Sequence, residues 1–289
     1  MLKIAVASGK GGVGKTMLAS SLSIFLSKEK KIVAVDCDVD TPNLIIWLNE
    51  VGGKKITKEK FFLNFEAKVN KEKCIGCGLC QKNCVFGAIE IRNKKAFVNP
   101  FLCEGCGVCE IVCPQKAIKI KPIESGEINA KITKYGFPLV WGQLKIGKTG
   151  SGKLVWEVKK KAMEFKKEIL LIDVAAGIGC PVISALQDVD FCILVTTPSY
   201  LSLSDLQRII KLLSFFKIDF GLVINKWDIN KELASKFEKK FKRKILGKIS
   251  FDKRIYSCVS NFVPIPESNL LAKKEILEIL KKLRKILKI

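Results

Sequence analysis

Most of the chemistry legible in this 289-residue chain lies in eight of its twelve cysteines and in one glycine–lysine loop. The eight fall in two runs, Cys74, Cys77, Cys80, Cys84 and Cys103, Cys106, Cys109, Cys113, each spaced C-x2-C-x2-C-x3-C. Such a run lets three thiolates wrap one cuboidal [4Fe–4S] cluster while the fourth reaches a second cluster. A pair of zinc sites would need only four cysteines each, without the fourth member at x3. The loop reads Gly9-Lys10-Gly11-Gly12-Val13-Gly14-Lys15-Thr16 and satisfies G-x-x-x-x-G-K-[ST] between a predicted strand and a predicted helix. There the amides of Gly11, Gly12, Val13, Gly14, Lys15 and Thr16 can cradle the phosphates of ATP. Lys15 reaches the β/γ-phosphates and the Thr16 hydroxyl serves Mg2+. Together the two motifs imply nucleotide chemistry coupled to iron–sulfur chemistry.

Composition narrows the setting. No apolar stretch approaches the roughly 18 residues of a membrane helix, and the first predicted strand starts at once, so a cytoplasmic protein is expected. A reducing compartment also suits thiolate ligands. The absence of histidine removes the commonest general base and any histidine-ligated metal. The formal charge of +23 would fall by four with eight thiolates and two dipositive cluster cores. A basic surface favours nucleotides, acidic proteins, nucleic acid or anionic lipid, but a lysine-rich proteome gives the same excess.

Three blocks must position these residues. Residues 1–60 read as strand (3–7), phosphate loop, helix (16–27), strand (32–36) and a helical segment near 43–49. Residues 61–122 form the cysteine-rich insert. From 123 onward, apolar runs at 169–173, 191–196 and 220–225 alternate with helix-length segments, so a parallel sheet covered by helices is expected, with ligands at its carboxyl ends. The insert repeats after 29 residues: the cysteines correspond, as do Gly76/Gly105, Gly78/Gly107, Ala88/Ala117, Ile89/Ile118 and Ile91/Ile120. A pseudo-twofold module held together by its clusters follows.

The insert closely resembles a bacterial two-cluster ferredoxin. That resemblance implies one cluster on Cys74, Cys77, Cys80 and Cys113, and the other on Cys103, Cys106, Cys109 and Cys84. Pro114 follows the second run as in that pattern, whereas Val85 replaces the proline of the first. The K-G-G-x-G-K-T loop, with Lys10, resembles the deviant Walker A loop of the MinD/Mrp/ParA and nitrogenase-iron-protein class of ATPases. The class implies a face-to-face dimer around ATP, with Lys10 reaching the partner's nucleotide. Asp36-Cys37-Asp38-Val39-Asp40 resembles its first switch, where Asp38 would orient the attacking water. The segment from Asp173 to Gly179 resembles its second switch, where Asp173 would hold Mg2+ through water. Asn225-Lys226 resembles its adenine-binding pair.

The expected fold is therefore an α/β P-loop NTPase with a mainly parallel sheet (1–60 and 123–289), interrupted by an inserted α+β ferredoxin domain (61–122). The expected function is ATP hydrolysis, with Lys10, Lys15, Asp38 and Asp173 as catalytic residues, coupling dimer closure to electron transfer through two [4Fe–4S] clusters. Two alternatives stand beside it: an iron–sulfur carrier of the Mrp type, and a MinD/ParA-like organiser on membrane or DNA. The expected partners are a second copy or a paralogue in the ATP state, and a redox or cluster-accepting protein, rather than membrane or nucleic acid.

Four further features are weighed. Gly147 to Lys153 matches the phosphate-loop string, but Leu154 replaces the hydroxyl and no convincing strand precedes it, so a flexible loop is expected. Cys37 and Cys192 read as small core residues. Cys180, seven residues after Asp173, reads as a switch-region residue, with a bridging cluster as the lesser reading. The segment 270–289 places Ile276, Leu280, Leu283 and Leu287 on one face, as a last core helix would; a basic membrane tail is the lesser reading.

Overall fold

A computed structural model describes residues 1–52 and 57–289. In chain order the first elements are β1 (Leu2–Ser8), α1 (Lys15–Leu26), β2 (Ile32–Asp36), α2 (Leu44–Trp47) and β3 (Thr57–Val69). Then come α3 (Leu79–Lys82), β4 (Ile89–Arg92), β5 (Lys95–Val98), α4 (Val108–Ile111), β6 (Ile118–Ile132) and β7 (Pro138–Leu144). The chain continues as α5 (Ser151–Met163), β8 (Ile169–Ala176), α6 (Cys180–Leu186), β9 (Phe191–Thr196), α7 (Tyr200–Phe215) and β10 (Asp219–Asn225). It ends with α8 (Lys231–Lys240), β11 (Ile245–Ile249), α9 (Arg254–Ser260) and α10 (Leu271–Leu287).

Among the described residues the main sheet has nine strands in the order β11-β10-β9-β1-β8-β2-β7-β6-β3. The pairs from β11 through β7 are parallel. Strands such as β1, β2 and β9 are runs of Val, Ile, Leu and Ala buried on both faces, the composition a parallel sheet under helices demands. In one register β2 and β8 set Asp36 beside Asp173. Helix α1 buries eleven of its twelve residues, so its stability comes from tertiary packing rather than an amphipathic surface. Helix α10 carries Ile276, Ile279, Leu280 and Leu283 into the core formed with Leu18, Leu22 and Ile249. No described helix is long and apolar enough to cross a membrane.

Two compact units divide the chain. The first comprises 1–59, 128–143 and 151–289; the second comprises 60–127 and 144–150. The second unit therefore includes residues on both sides of the sequence-based boundary at 123, and it includes 144–150. Strands β3 and β6 each run from one unit into the other. Where the sequence showed no convincing strand ahead of the glycine string at 147–153, a strand does stand there: β7 ends at Leu144, and α5 begins at Ser151. The short apolar run of β7 lacks the Ile/Val density of its neighbours, and its register beside β2 makes it a strand.

Within the second unit the 29-residue repeat is structural. Asn70 N–H bonds Ala117 O and Asn99 N–H bonds Ala88 O, each at 2.7 Å. A Cβ on Gly76 would fall on the Lys94 backbone, and one on Gly105 on the Phe65 backbone, again 29 residues apart. Both glycines have positive φ, so the close approach and the backbone conformation require glycine together.

Candidate functional site: a phosphate loop and two cysteine cavities

The phosphate loop leaves β1 at Ser8 and enters α1 through Gly14, whose φ of 95° only glycine adopts readily. A Cβ on Gly9 would fall on the Asp205 backbone of α7, and one on Gly14 on the Asn225 side chain. The loop is thus held tightly from both sides. Val13 is buried, Lys15 is nearly so, and Gly11, Gly12 and Lys10 lie exposed at the lip. Gly12, Gly14, Lys15 and Thr16 line a cavity of about 310 Å3. Its other lining includes Asn225 and Lys226 from the end of β10, Trp47 of α2, Phe251, and Ile255 and Tyr256 of α9. A cradle of amides at one end and an apolar, aromatic wall at the other suits a nucleotide, whose phosphates and base make those two demands.

Asn225 staples this cavity. Its Nδ2 donates to Val13 O at 2.8 Å, and its Oδ1 accepts from Lys226 N–H at 2.9 Å. The wall opposite is equally anchored. Asp228 accepts Phe251 N–H at 2.8 Å, and Glu275 of α10 accepts both Ser250 N–H and the Ser250 hydroxyl. Sequence reasoning missed residues 250–259 altogether, because no local motif marks them.

Beside the phosphate loop lie the acidic residues of the two segments expected to act as switches. Asp36 accepts Leu44 N–H at 2.8 Å and Asp38 N–H at 2.9 Å, which shapes the turn carrying Asp38. Asp38 itself is half-buried and accepts the Thr41 hydroxyl at 3.2 Å. Asp173, at the end of β8, is buried, and its Oδ1 has no partner. Burial pushes the Asp173 carboxyl up to about 6, although Lys15 and the Thr16 hydroxyl pull the other way. Asp36 is pushed up by burial first and by Asp173 second. A buried carboxylate oxygen without a partner, beside a lysine and a threonine hydroxyl, fits a hydrated divalent cation bound with a nucleotide. Lys15, Thr16 and Asp173 would hold MgATP, the metal drawing charge from the transferred phosphoryl group.

The cysteine runs come together crosswise. Cys74, Cys77, Cys80 and Cys113 line one small cavity of about 20 Å3; Cys84, Cys103, Cys106 and Cys109 line another of the same size. Backbone amides point at the sulfurs in symmetric pairs: Ala88 N–H to Cys84 and Ala117 N–H to Cys113, then Ala96 N–H to Cys74 and Ala67 N–H to Cys103, at 3.3–3.5 Å. Amide donors stabilise thiolate, the protonation state a ligand needs. Among the described residues no three His, Cys, Asp or Glu side chains are gathered closely enough for one metal ion. A single zinc needs every sulfur about 2.3 Å from one point, whereas a cuboidal cluster gives each thiolate its own iron and accepts a wider set. Among the other cysteines, Cys37 and Cys192 are fully buried and Cys258 is half-buried against the core; Cys180 is exposed at the start of α6.

Comparison with known proteins bears on the nucleotide-binding unit. Residues 4–265 match the family described as CobQ/CobB/MinD/ParA nucleotide binding domain. An uncharacterized protein of Methanocaldococcus jannaschii is 37% identical over 289 residues, 99% of this chain and 98% of that protein. A second uncharacterized protein of the same organism is 31% identical over 259 residues, 89% of each. The solved septum site-determining protein MinD of Pyrococcus horikoshii, complexed with Mg-ADP, matches with a TM-score of 0.60 at 20% identity, over 99% of this chain and 97% of that one. With the phosphate loop and this match over residues 4–265, the chain belongs to the CobQ/CobB/MinD/ParA nucleotide-binding family and is a P-loop ATPase.

Proposed function

We propose that this ATPase couples nucleotide-driven dimer closure to electron transfer through two [4Fe–4S] clusters in its second unit. The observation that carries the reading is the crosswise gathering of cysteines, three from one run and the fourth from the other, around each of two cavities. When bound, such clusters supply one-electron redox chemistry. The chain's own contribution is thiolate ligation, amide donors aimed at four of the sulfurs, and an apolar shell of Ile89, Ile118 and Ala96 packed against the cysteines. On the nucleotide side, Lys15 and the loop amides bind phosphate and Asp173 orients the metal. Asp38 lies on a turn that can hold the attacking water. The dimer would be a pair of identical chains or of paralogues; two relatives within one organism make the second arrangement available. Delivery of whole clusters, as by an Mrp-type carrier, uses the same residues. Eight thiolates in closed sets favour retention of the clusters and hence electrons.

The comparisons favour a second reading, an organiser of the MinD/ParA kind, since the Pyrococcus structure carries the name of a septum site-determining protein. That reading gives the eight cysteines no task. Anaerobically purified protein should contain about eight iron and eight acid-labile sulfide per chain, and its electron paramagnetic resonance should change with MgATP. Stoichiometric zinc, or iron saturating near four, would sink the cluster reading. Vesicle sedimentation or a salt-dependent DNA shift that requires ATP would establish the organiser.

A further inference from the structure

We propose that charged residues of the second unit make its two cysteine sets electrically unequal, so that the first electron it receives settles on the set of Cys74, Cys77, Cys80 and Cys113. The inference rests on the proposed function for the clusters themselves and concerns this unit alone. Amide donors barely separate the sets. Ala96 N–H reaches Cys74 Sγ and Ala117 N–H reaches Cys113 Sγ, each at 3.3 Å. The corresponding distances are 3.5 Å from Ala67 to Cys103 and 3.4 Å from Ala88 to Cys84. The two cavities have the same size. What differs is charge.

The repeat breaks at three pairs of positions 29 residues apart. The first pair is Lys95 and Glu66, which precede the two alanines whose amides point at Cys74 and Cys103. Half-buried Lys95 donates from Nζ to Cys74 O at 2.7 Å, a neutral partner that does not cancel its charge. Glu66 is buried and has Lys68 2.6 Å away. A neutral pair therefore holds the position that a cation holds in the other copy. The second pair is Lys71 and Pro100. Lys71 donates to Ala96 O and lies 3.3 Å from the centre of the Phe97 ring, whereas proline brings no charge. The third pair is Ile75, which lines the first cavity, and Glu104, which lines the second. Other charges nearby pair off as Glu90 with Arg92 and Glu110 with Lys119. All three differences have the same sign.

Reduction of one [4Fe–4S]2+ core takes one electron, forms and breaks no bond, and leaves one more negative charge among the thiolates. Nearby ammonium groups favour that charge and a carboxylate opposes it. The Cys74 set thus takes the higher potential. An electron delivered to the Cys103 set by a low-potential one-electron donor then runs downhill to the Cys74 set.

Redox titration of the anaerobically purified full-length protein with dithionite, followed by electron paramagnetic resonance, tests this. The wild type should reduce in two one-electron steps. Its first electron should favour one cluster over the other by at least about tenfold, which is 59 mV for a one-electron couple. Lys95→Gln should lower the upper step by about tenfold and leave the lower step in place. Glu104→Ile should raise only the lower step, and Ile75→Glu should lower only the upper one. Both positions are exposed, so solvent screens the charge and each shift should be about twofold to fivefold. Lys95 also holds the Cys74 loop, and the two exposed substitutions keep the test independent of that contact. Coincident steps in the wild type, Lys95→Gln or Ile75→Glu acting on the lower step, or variants that leave both steps in place would overturn the inequality. With about eight irons per chain, such a result refutes the inequality and keeps the clusters. Protein without reducible iron refutes both.

Discussion

Asp173→Asn should stabilise the nucleotide-free protein while destroying its response to magnesium. Parallel pairing of β2 with β8 places Asp36 and Asp173 in one register at the sheet's carboxyl edge, both about 2% exposed or less. Burial lifts Asp173 from 3.8 to about 6. A rise of about 2 pH units at 1.36 kcal/mol each makes ionised Asp173 cost about 3 kcal/mol in the empty fold. The sign follows from proton binding. The folded state takes up its proton at higher pH than the unfolded chain does. The cost is therefore absent below pH 3.8, grows as pH rises, and is complete above about 6. Asp36 is shifted the same way, so the titration belongs to the pair. Denaturant unfolding of both proteins between about pH 4.5 and 8 should show the variant's advantage growing to at most about 3 kcal/mol near pH 6.5 and then levelling. Adding MgATP should reverse the order, because the cation recovers the cost only where a carboxylate is present. MgATP affinity of the wild type should also weaken toward tenfold per pH unit below about 6. A stability difference independent of pH, or equal stabilisation of both proteins by MgATP, would refute the assignment.

Three other outcomes are expected. Lys15→Ala should abolish ATP binding in an equilibrium titration, whereas Asp38→Ala should bind ATP, fail to hydrolyse it and accumulate as a dimer on size exclusion; normal hydrolysis by the latter would remove Asp38 from the switch. Cys113→Ser should lower iron and change the spectrum of the cluster expected on Cys74, Cys77 and Cys80, and leave the one on Cys103, Cys106 and Cys109; loss confined to the Cys103 set would reject the crosswise ligation. Ile276→Ala, at a fully buried position of α10, should cost about 2–5 kcal/mol in denaturant unfolding, against little change for Lys281→Ala on the exposed face.

What could be read before the fold was known shares one property: its chemistry is local. Amides cradling phosphate need consecutive residues, and thiolates wrapping a cluster need fixed short spacings, so the phosphate loop and both cysteine runs are visible as strings. The buried runs of β1, β2 and β9 and the apolar face of α10 are visible for the same reason. The sequence could not show that β2 and β8 are neighbours, and that pairing sets the Asp173 charge beside Asp36, which helps burial push Asp36 up. Nor could it show that residues 250–259 wall the nucleotide cavity, held there by Asp228 and Glu275, or that β7 is a strand and the glycine loop after it belongs with the cysteines. Chain order by itself determined which groups exist and which act within a few residues of one another. Tertiary structure decided the pKa of Asp173, the cavity opposite the phosphate loop and the grouping of 144–150 with the cysteines, because desolvation, register and packing arise only between segments brought together by folding.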